Sequence, residues 1–252
     1  PVFIFQSSET NETILSNLVL TRGSSSQGGG VRCLNNSNPS LLRCRIEGNQ
    51  AVEGGGVYCS QSDPRLVVCV INDNVAVQNG GGIFCIDGSS PSIYQMKMKN
   101  NTAGFRGGGL YSIGNGSPFL SSNSFNPSIS YSYLSIIEGN SAVVEGGGIW
   151  IGDNTSGYPM IKRFFIRNNV SEIGAGVFLE ESSVGILNCD ISDNHATIGG
   201  GMALGPNSIG THTISGCRLI GNTAVDIGGG VAALPGSYVE IYTSTLQFNS
   251  AQ

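Results

Sequence analysis

The chain reads as all-β: a right-handed single-stranded parallel β-helix, a solenoid of about eight to nine coils of about 26 residues each. Three observations predict it. A glycine triplet followed by an apolar residue recurs along the whole chain, an asparagine precedes each triplet at nearly constant distance, and apolar columns keep register with that asparagine.

The triplets are glycines 28–30, 54–56, 80–82, 107–109, 146–148, 199–201 and 228–230, with Gly174-Ala175-Gly176 as a variant. Glycine in this pattern suits a sharp corner where the backbones of successive coils approach closely. Five or six residues before the triplets stand Asn49, Asn74, Asn101, Asn140, Asn169, Asn194 and Asn222, and Asn249 opens one more unit. One asparagine at the same corner of every coil can stack amide on amide and form a ladder. The residue just before it is often Gly, Asp or Asn (Gly48, Asp73, Asn100, Gly139, Asn168, Asp193, Gly221), types that tolerate positive φ at a tight turn.

Counting back from the asparagine defines the core. Three residues earlier stand Ile46, Ile71, Met98, Ile137, Ile166, Ile191, Leu219 and Leu246. Eight earlier stand Leu41, Leu66, Ile93, Ile161, Ile186, Ile214 and Ile241, with Ser132 breaking the column. The stretch from eight to three before Asn is expected to be one strand. Pro39, Pro64, Pro91 and Pro159 fall at its entrance, ten before Asn, where a missing N–H is tolerated. Stacked coils bury a continuous column that no coil buries alone, and eight of them at a strand spacing of about 4.8 Å give a rod of about 40 Å. The whole of 1–252 is expected to be one such domain, opening and closing in mid-pattern as a piece of a longer protein would.

Composition narrows the function. Charged residues make up 12% and the net charge is −5, which disfavours nucleic acid, a partner that requires a basic face. Apolar runs are too short to span a bilayer as a helix. Seven cysteines fall into columns: Cys33, Cys59 and Cys85 three after a triplet, and Cys44, Cys69, Cys189 and Cys217 five before Asn. They are expected to fill the core as small apolar groups; no C-x-x-C occurs, and a cross-core bridge such as Cys33–Cys44 stays open.

Residues seven, six and four before Asn are expected to face solvent. They include Arg43 and Arg45, Tyr94 and Lys97, Tyr133, Lys162, Arg163 and Phe165, and Asp190 is the one carboxylate. That face lacks the carboxylate pair of a glycoside hydrolase and the several acids of a calcium site, so neither catalysis nor a metal or other cofactor is expected there. His195 and His212 sit at turns without a nucleophile motif beside them.

One coil departs from the rest. Gly107 to Asn140 spans 33 residues against 20 to 23 elsewhere, which predicts an inserted loop over 117–132. Loops on a rigid scaffold carry binding function. Its aromatics Phe119, Phe125 and Tyr131, with the outward Tyr94, Tyr133 and Phe165, are the candidate binding residues, for stacking on a sugar or packing on another chain. Of six Asn-x-Ser/Thr sequons, Asn35, Asn115 and Asn154 fall in loops after the triplet strand and are expected to be open to glycosylation, while Asn169 belongs to the ladder.

The motifs Gly-Gly-Gly-Val/Ile/Leu and Ile-x-x-Asn (Ile46 to Asn49, Ile71 to Asn74, Ile191 to Asn194) resemble those of parallel β-helix repeat proteins. They are particularly similar to the polymorphic outer-membrane-protein and adhesin type, whose repeats read Gly-Gly-Ala-Ile and Phe-x-x-Asn. The resemblance implies a large extracellular or cell-surface protein: an adhesin, a passenger or a filament component. The expected role is therefore non-catalytic, a rigid spacer or adhesive surface whose partners are other protein chains, by self-assembly or within the same polypeptide, or surface glycans. The competing expectation is a polysaccharide-active enzyme or carbohydrate-binding module with its site near 117–133.

Overall fold

The computed structural model describes residues 1–122, 135–154, 156–206, 208 and 210–252. These residues form a right-handed parallel β-solenoid of nine turns without a helix. Three sheets of nine strands run its length, and every pairing in them is parallel and joins equivalent positions of adjacent coils. One coil shows the plan. Val57–Ser60, just after a triplet, lies in the first sheet, Arg65–Val67 in the second and Val70–Asn72 in the third. Val75–Ala76, just after Asn74, lies in a fourth, shorter face.

Local chemistry explains why each corner turns where it does. In every triplet the first residue adopts left-handed φ, from +62° to +68°. The second and third residues face the next coil: a Cβ on Gly29 would meet the Gly55 carbonyl at 2.4 Å, and one on Gly30 would meet that of Gly56 at 2.7 Å. The asparagines from Asn49 to Asn222 are fully buried. In each, Nδ2 donates to Oδ1 of the next asparagine, as from Asn74 to Asn101 at 3.0 Å, and to a carbonyl of the previous coil, as from Asn74 to Ile46 at 2.9 Å. The same Oδ1 also accepts the preceding asparagine's backbone N–H, so all four hydrogen bonds of the primary amide are made inside the stack.

The expected single strand from eight to three before Asn is in fact two. The residue six before Asn has φ near +50° in each described coil: Arg43, Val68, Gln95, Arg163, Asn188, Gly216 and Thr243. The chain turns there from the second sheet to the third. Residues eight, five and three before Asn still point inward, because the corner resets the alternation.

The inserted segment also lies elsewhere than its expected bounds. Phe119–Ser121 is a regular strand of the second sheet, with Leu120 between Ile93 and Ile161 in the core column that Ser132 seemed to break. Pro118 takes the strand-entrance place of Pro91 and Pro159, its carbonyl accepting from Met160. The extra length therefore falls, in sequence, after the strand Phe119–Ser121 and before Ser135–Glu138.

All seven cysteines carry free thiols and are buried in the lumen, so no Cys33–Cys44 bridge is present. Cys33, Cys59 and Cys85 stack in register, as do Cys189 and Cys217 at the opposite wall. Burial and the neighbouring Cys217 thiol push the Cys189 thiol well above its ordinary value.

Candidate functional site

Two outward surfaces concentrate chemistry, and the sequence pointed to only one of them. On the second sheet, Tyr94 and Phe119 occupy diagonal positions of adjacent coils, their ring centroids 5.9 Å apart and tilted by 57°. Lys162, on the coil beyond, places Nζ 5.8 Å from the Phe119 centroid. Tyr158 lies against Gly185 of the same sheet, where a Cβ would meet its ring at 3.1 Å. Arg65 lies in the same sheet, and Lys97 and Arg163 lie next to it at the corner toward the third. Half-exposed rings beside cations form a surface that can stack on the apolar face of a sugar and attract an acidic substituent.

Phe165 does not join this group. It lies on the third sheet between Ile136 and Asp190, lining a recess of about 330 Å³ with Arg163, Asn188 and Arg218. Phe125, Tyr131 and Tyr133 lie outside the described residues. The third sheet's carboxylates are held by neighbouring cations. Glu138 meets Lys99 at 2.5 Å and Arg167 at 3.0 Å, Glu47 meets Arg45 at 2.7 Å, and Asp190 meets Arg218 at 3.1 Å. The Lys99 ammonium holds the Glu138 carboxyl below its usual range.

The second surface is a groove on the outside of the first sheet. Its floor is the position two after five successive triplets: Tyr58, Phe84, Tyr111, Trp150 and Phe178 stack in consecutive coils at centroid spacings from 4.5 to 6.2 Å. These outward rings are nonetheless buried, because each covers its neighbours' faces and walls that include Ile86, Ile113 and Ile173 cover their edges. Polar atoms finish the stack. Gln27 Nε2 donates to the Tyr58 hydroxyl at 3.0 Å, and Trp150 Nε1 donates at 3.0 Å to Glu145, which pairs with Arg106 at 2.7 Å. Burial pushes the Tyr58 and Tyr111 phenols up to about 12, and burial followed by the Glu145 charge raises the Glu180 carboxyl. The sequence carried a signal for this ladder, five aromatics at one template position two after the triplet.

The sequon asparagines separate. Asn35 and Asn115 are exposed, with left-handed φ, on loops between the first and second sheets. Asn154 is buried in the same corner, its Nδ2 donating to the Gly116 carbonyl, which withdraws it from the accessible acceptors. It occupies a column otherwise filled by buried serines, Ser37, Ser62, Ser89, Ser182 and Ser208. His212, at the place of the strand-entrance prolines, is buried there too, with Nε2 2.8 Å from Ser208 Oγ. Burial pushes its pKa down to about 4, and its Nδ1 meets no polar partner among the described residues.

Residues 3–125 match the family model described as right handed beta helix region. Comparison with curated proteins and with solved structures produced no match. The family includes both enzymes and non-enzymes, so it fixes architecture and not chemistry. The described strands, from Phe3 to Ala251, stack coil on coil in the three long sheets and the shorter fourth face, so the chain folds as a right-handed parallel β-solenoid, the architecture that this family model describes.

Proposed function

We propose that this chain is a non-catalytic segment of an extracellular or cell-surface protein, a stiff rod that presents its second sheet to surface glycans or to other chains. The observation that carries the reading is the contrast between two faces. The carboxylates Glu47, Glu138 and Asp190 on the third sheet are held in ion pairs, which leaves them poorly placed as general acids or nucleophiles. The second sheet carries the half-exposed rings Tyr94 and Phe119 beside Lys162. Aromatic faces next to a cation suit an acidic polysaccharide. Exposed sequons at Asn35 and Asn115 are in keeping with a secreted protein.

The test is retention on immobilised acidic and neutral polysaccharides. Wild type should be retained by acidic chains more than by neutral ones. A Tyr94→Ala/Phe119→Ala variant with unchanged circular dichroism should lose at least about tenfold in affinity, as two stacking contacts of about 1 kcal/mol each imply. Equal retention of variant and wild type would exclude this face.

A second reading has its own observation. Glu180, its carboxyl raised first by burial and then by the charge of Glu145, stands beside the first-sheet groove, where Glu145 pairs with Arg106. Two carboxyls in unlike surroundings, one desolvated and one ion-paired, are the arrangement general acid–base chemistry on a polysaccharide draws on. Chain cleavage lost in Glu180→Gln would establish that reading.

A further inference from the structure

The fourth face carries an apolar ridge that the fold itself does not need. In the coils of Asn49, Asn169 and Asn194 the triplet begins five residues after the asparagine; in those of Asn74, Asn101, Asn140 and Asn222 it begins six after. In the first three of these the extra residue bulges beyond the two-residue strands Val75–Ala76, Thr102–Ala103 and Ser141–Ala142, whereas the Asn222 coil takes it up in the five-residue strand Thr223–Ile227. The inward column is unaffected: Ala51, Ala76, Ala103 and Ala142 remain buried. What the bulges present to solvent are Val77, Phe105 and Val143, at 68%, 44% and 64% exposure. Polar residues would serve equally well at such positions if solvation were their only task.

The surroundings mark a contact surface. Val52, Val75 and Val170 extend the ridge, all exposed. Together the six side chains expose on the order of 500 Å², as much as the largest patch of an ordinary monomer and more than half of the roughly 800 Å² per partner of a standard interface. In the three bulged coils the ridge itself is built of uncharged residues, and from the edge of the face the Arg106 guanidinium packs over the Phe105 ring, 4.9 Å from its centroid. Charges begin at its rims, Lys99 with Glu138 on one side and Arg106 with Glu145 on the other. The face also pairs a protrusion with a hollow. Val77, Gln78, Asn79, Gly104 and Phe105 line a recess of about 430 Å³, and Val143 stands in register with Gly104 one coil further on.

We propose that this ridge is a self-association face on which a second copy of the chain packs side by side and antiparallel. A two-fold axis between Gly104 and Val143 lays each copy's Val143 over the other's Gly104 recess, an isologous contact made by one patch. Each copy carries a net charge of −5, so an uncharged stripe is where two can meet with the least repulsion. Both present the same coil spacing, about 4.8 Å, so their side chains interdigitate without mismatch. The inference stands apart from the glycan reading, which concerns the second sheet.

Sedimentation velocity and light scattering on residues 1–252 from micromolar to several hundred micromolar test it. The expected result is a concentration-dependent dimer whose midpoint rises at least tenfold in Val143→Asp and in Val77→Asp, with wild-type circular dichroism. Should either aspartate disturb folding, Val143→Thr keeps the shape, adds a hydroxyl at the contact and should still weaken the dimer measurably. A monomer at every concentration overturns the proposal, as does a dimer indifferent to all three changes. Binding of a monomeric wild type, but not of Val143→Asp, to phosphatidylcholine vesicles would assign the ridge to a lipid surface instead.

Discussion

Asn101 is surrounded by other copies of its own chemistry: Nδ2 reaches Asn140 Oδ1 at 2.9 Å, and the Asn74 amide reaches back at 3.0 Å. Replacing it by alanine leaves the Asn140 stack without its donor and the buried backbone N–H of Asn74 without its acceptor. Asn101→Ala should therefore cost about 2–4 kcal/mol, measured by urea unfolding, since each buried polar group left unsatisfied costs about 1–3 kcal/mol. The same change at Asn249, which receives from Asn222 alone in the last coil, should cost less. Val68 is the opposite case, a β-branched residue at φ 55°. Val68→Gly removes that strain and should stabilise the fold by about 0.5–1 kcal/mol in the same assay, glycine's greater unfolded-state freedom offsetting part of the gain. These two positions also differ in what a reader of the sequence could see. The asparagine column was legible because each coil needs the same primary amide. The corner six before it was not, because Arg43, Val68, Gln95 and Thr243 share no type and are held left-handed by the coils they join.

The aromatic ladder shows how an element acquires a core of its own. The rings from Tyr58 to Phe178 lie outside the solenoid lumen yet are as buried as residues within it. The Tyr58 and Tyr111 phenols, raised to about 12, favour the folded state while protonated. Their contribution is complete below the unfolded value near 10 and lost as pH climbs from about 10 to 12. His212 acts at the other end: lowered to about 4, it favours the folded state while neutral, and stability should fall as pH drops from about 6.5 to 4. Melting temperatures from pH 3 to 12 should show both limbs, with the acid limb flattened in His212→Leu. A flat acid limb in the wild type would mean that His212 is solvated. Element boundaries were less legible than element types. Counting back from Asn140 placed Ser132 in the core, whereas Pro118 and Leu120 fit the template when counted forward from the triplet at 107–109. An insertion inside a repeat shifts the count on one side only.

At the scale of the whole molecule, the repeats specify a rod before they specify a function. Nine turns at about 4.8 Å make it about 40 Å long, with four faces whose outward side chains vary while the lumen columns and the asparagine ladder repeat. The second face carries rings beside a cation, the third carries ion pairs, the first a closed aromatic groove and the fourth the valine ridge. Of the residues singled out from the sequence, Tyr94 and Phe119 meet on one face, while Phe165 belongs to another. Sequence alone could not separate them, because the left-handed corner between the second and third sheets was invisible. The proposed role, a surface that binds and does not cut, meets its most direct test in prolonged incubation with a panel of acidic and neutral polysaccharides, followed by chromatography of the products. The expected result is retention of the acidic chains at their original length, with equal outcome for wild type and Glu180→Gln. Shortened chains from the wild type, with cleavage lost in Glu180→Gln, would contradict it and make the first-sheet groove an active site.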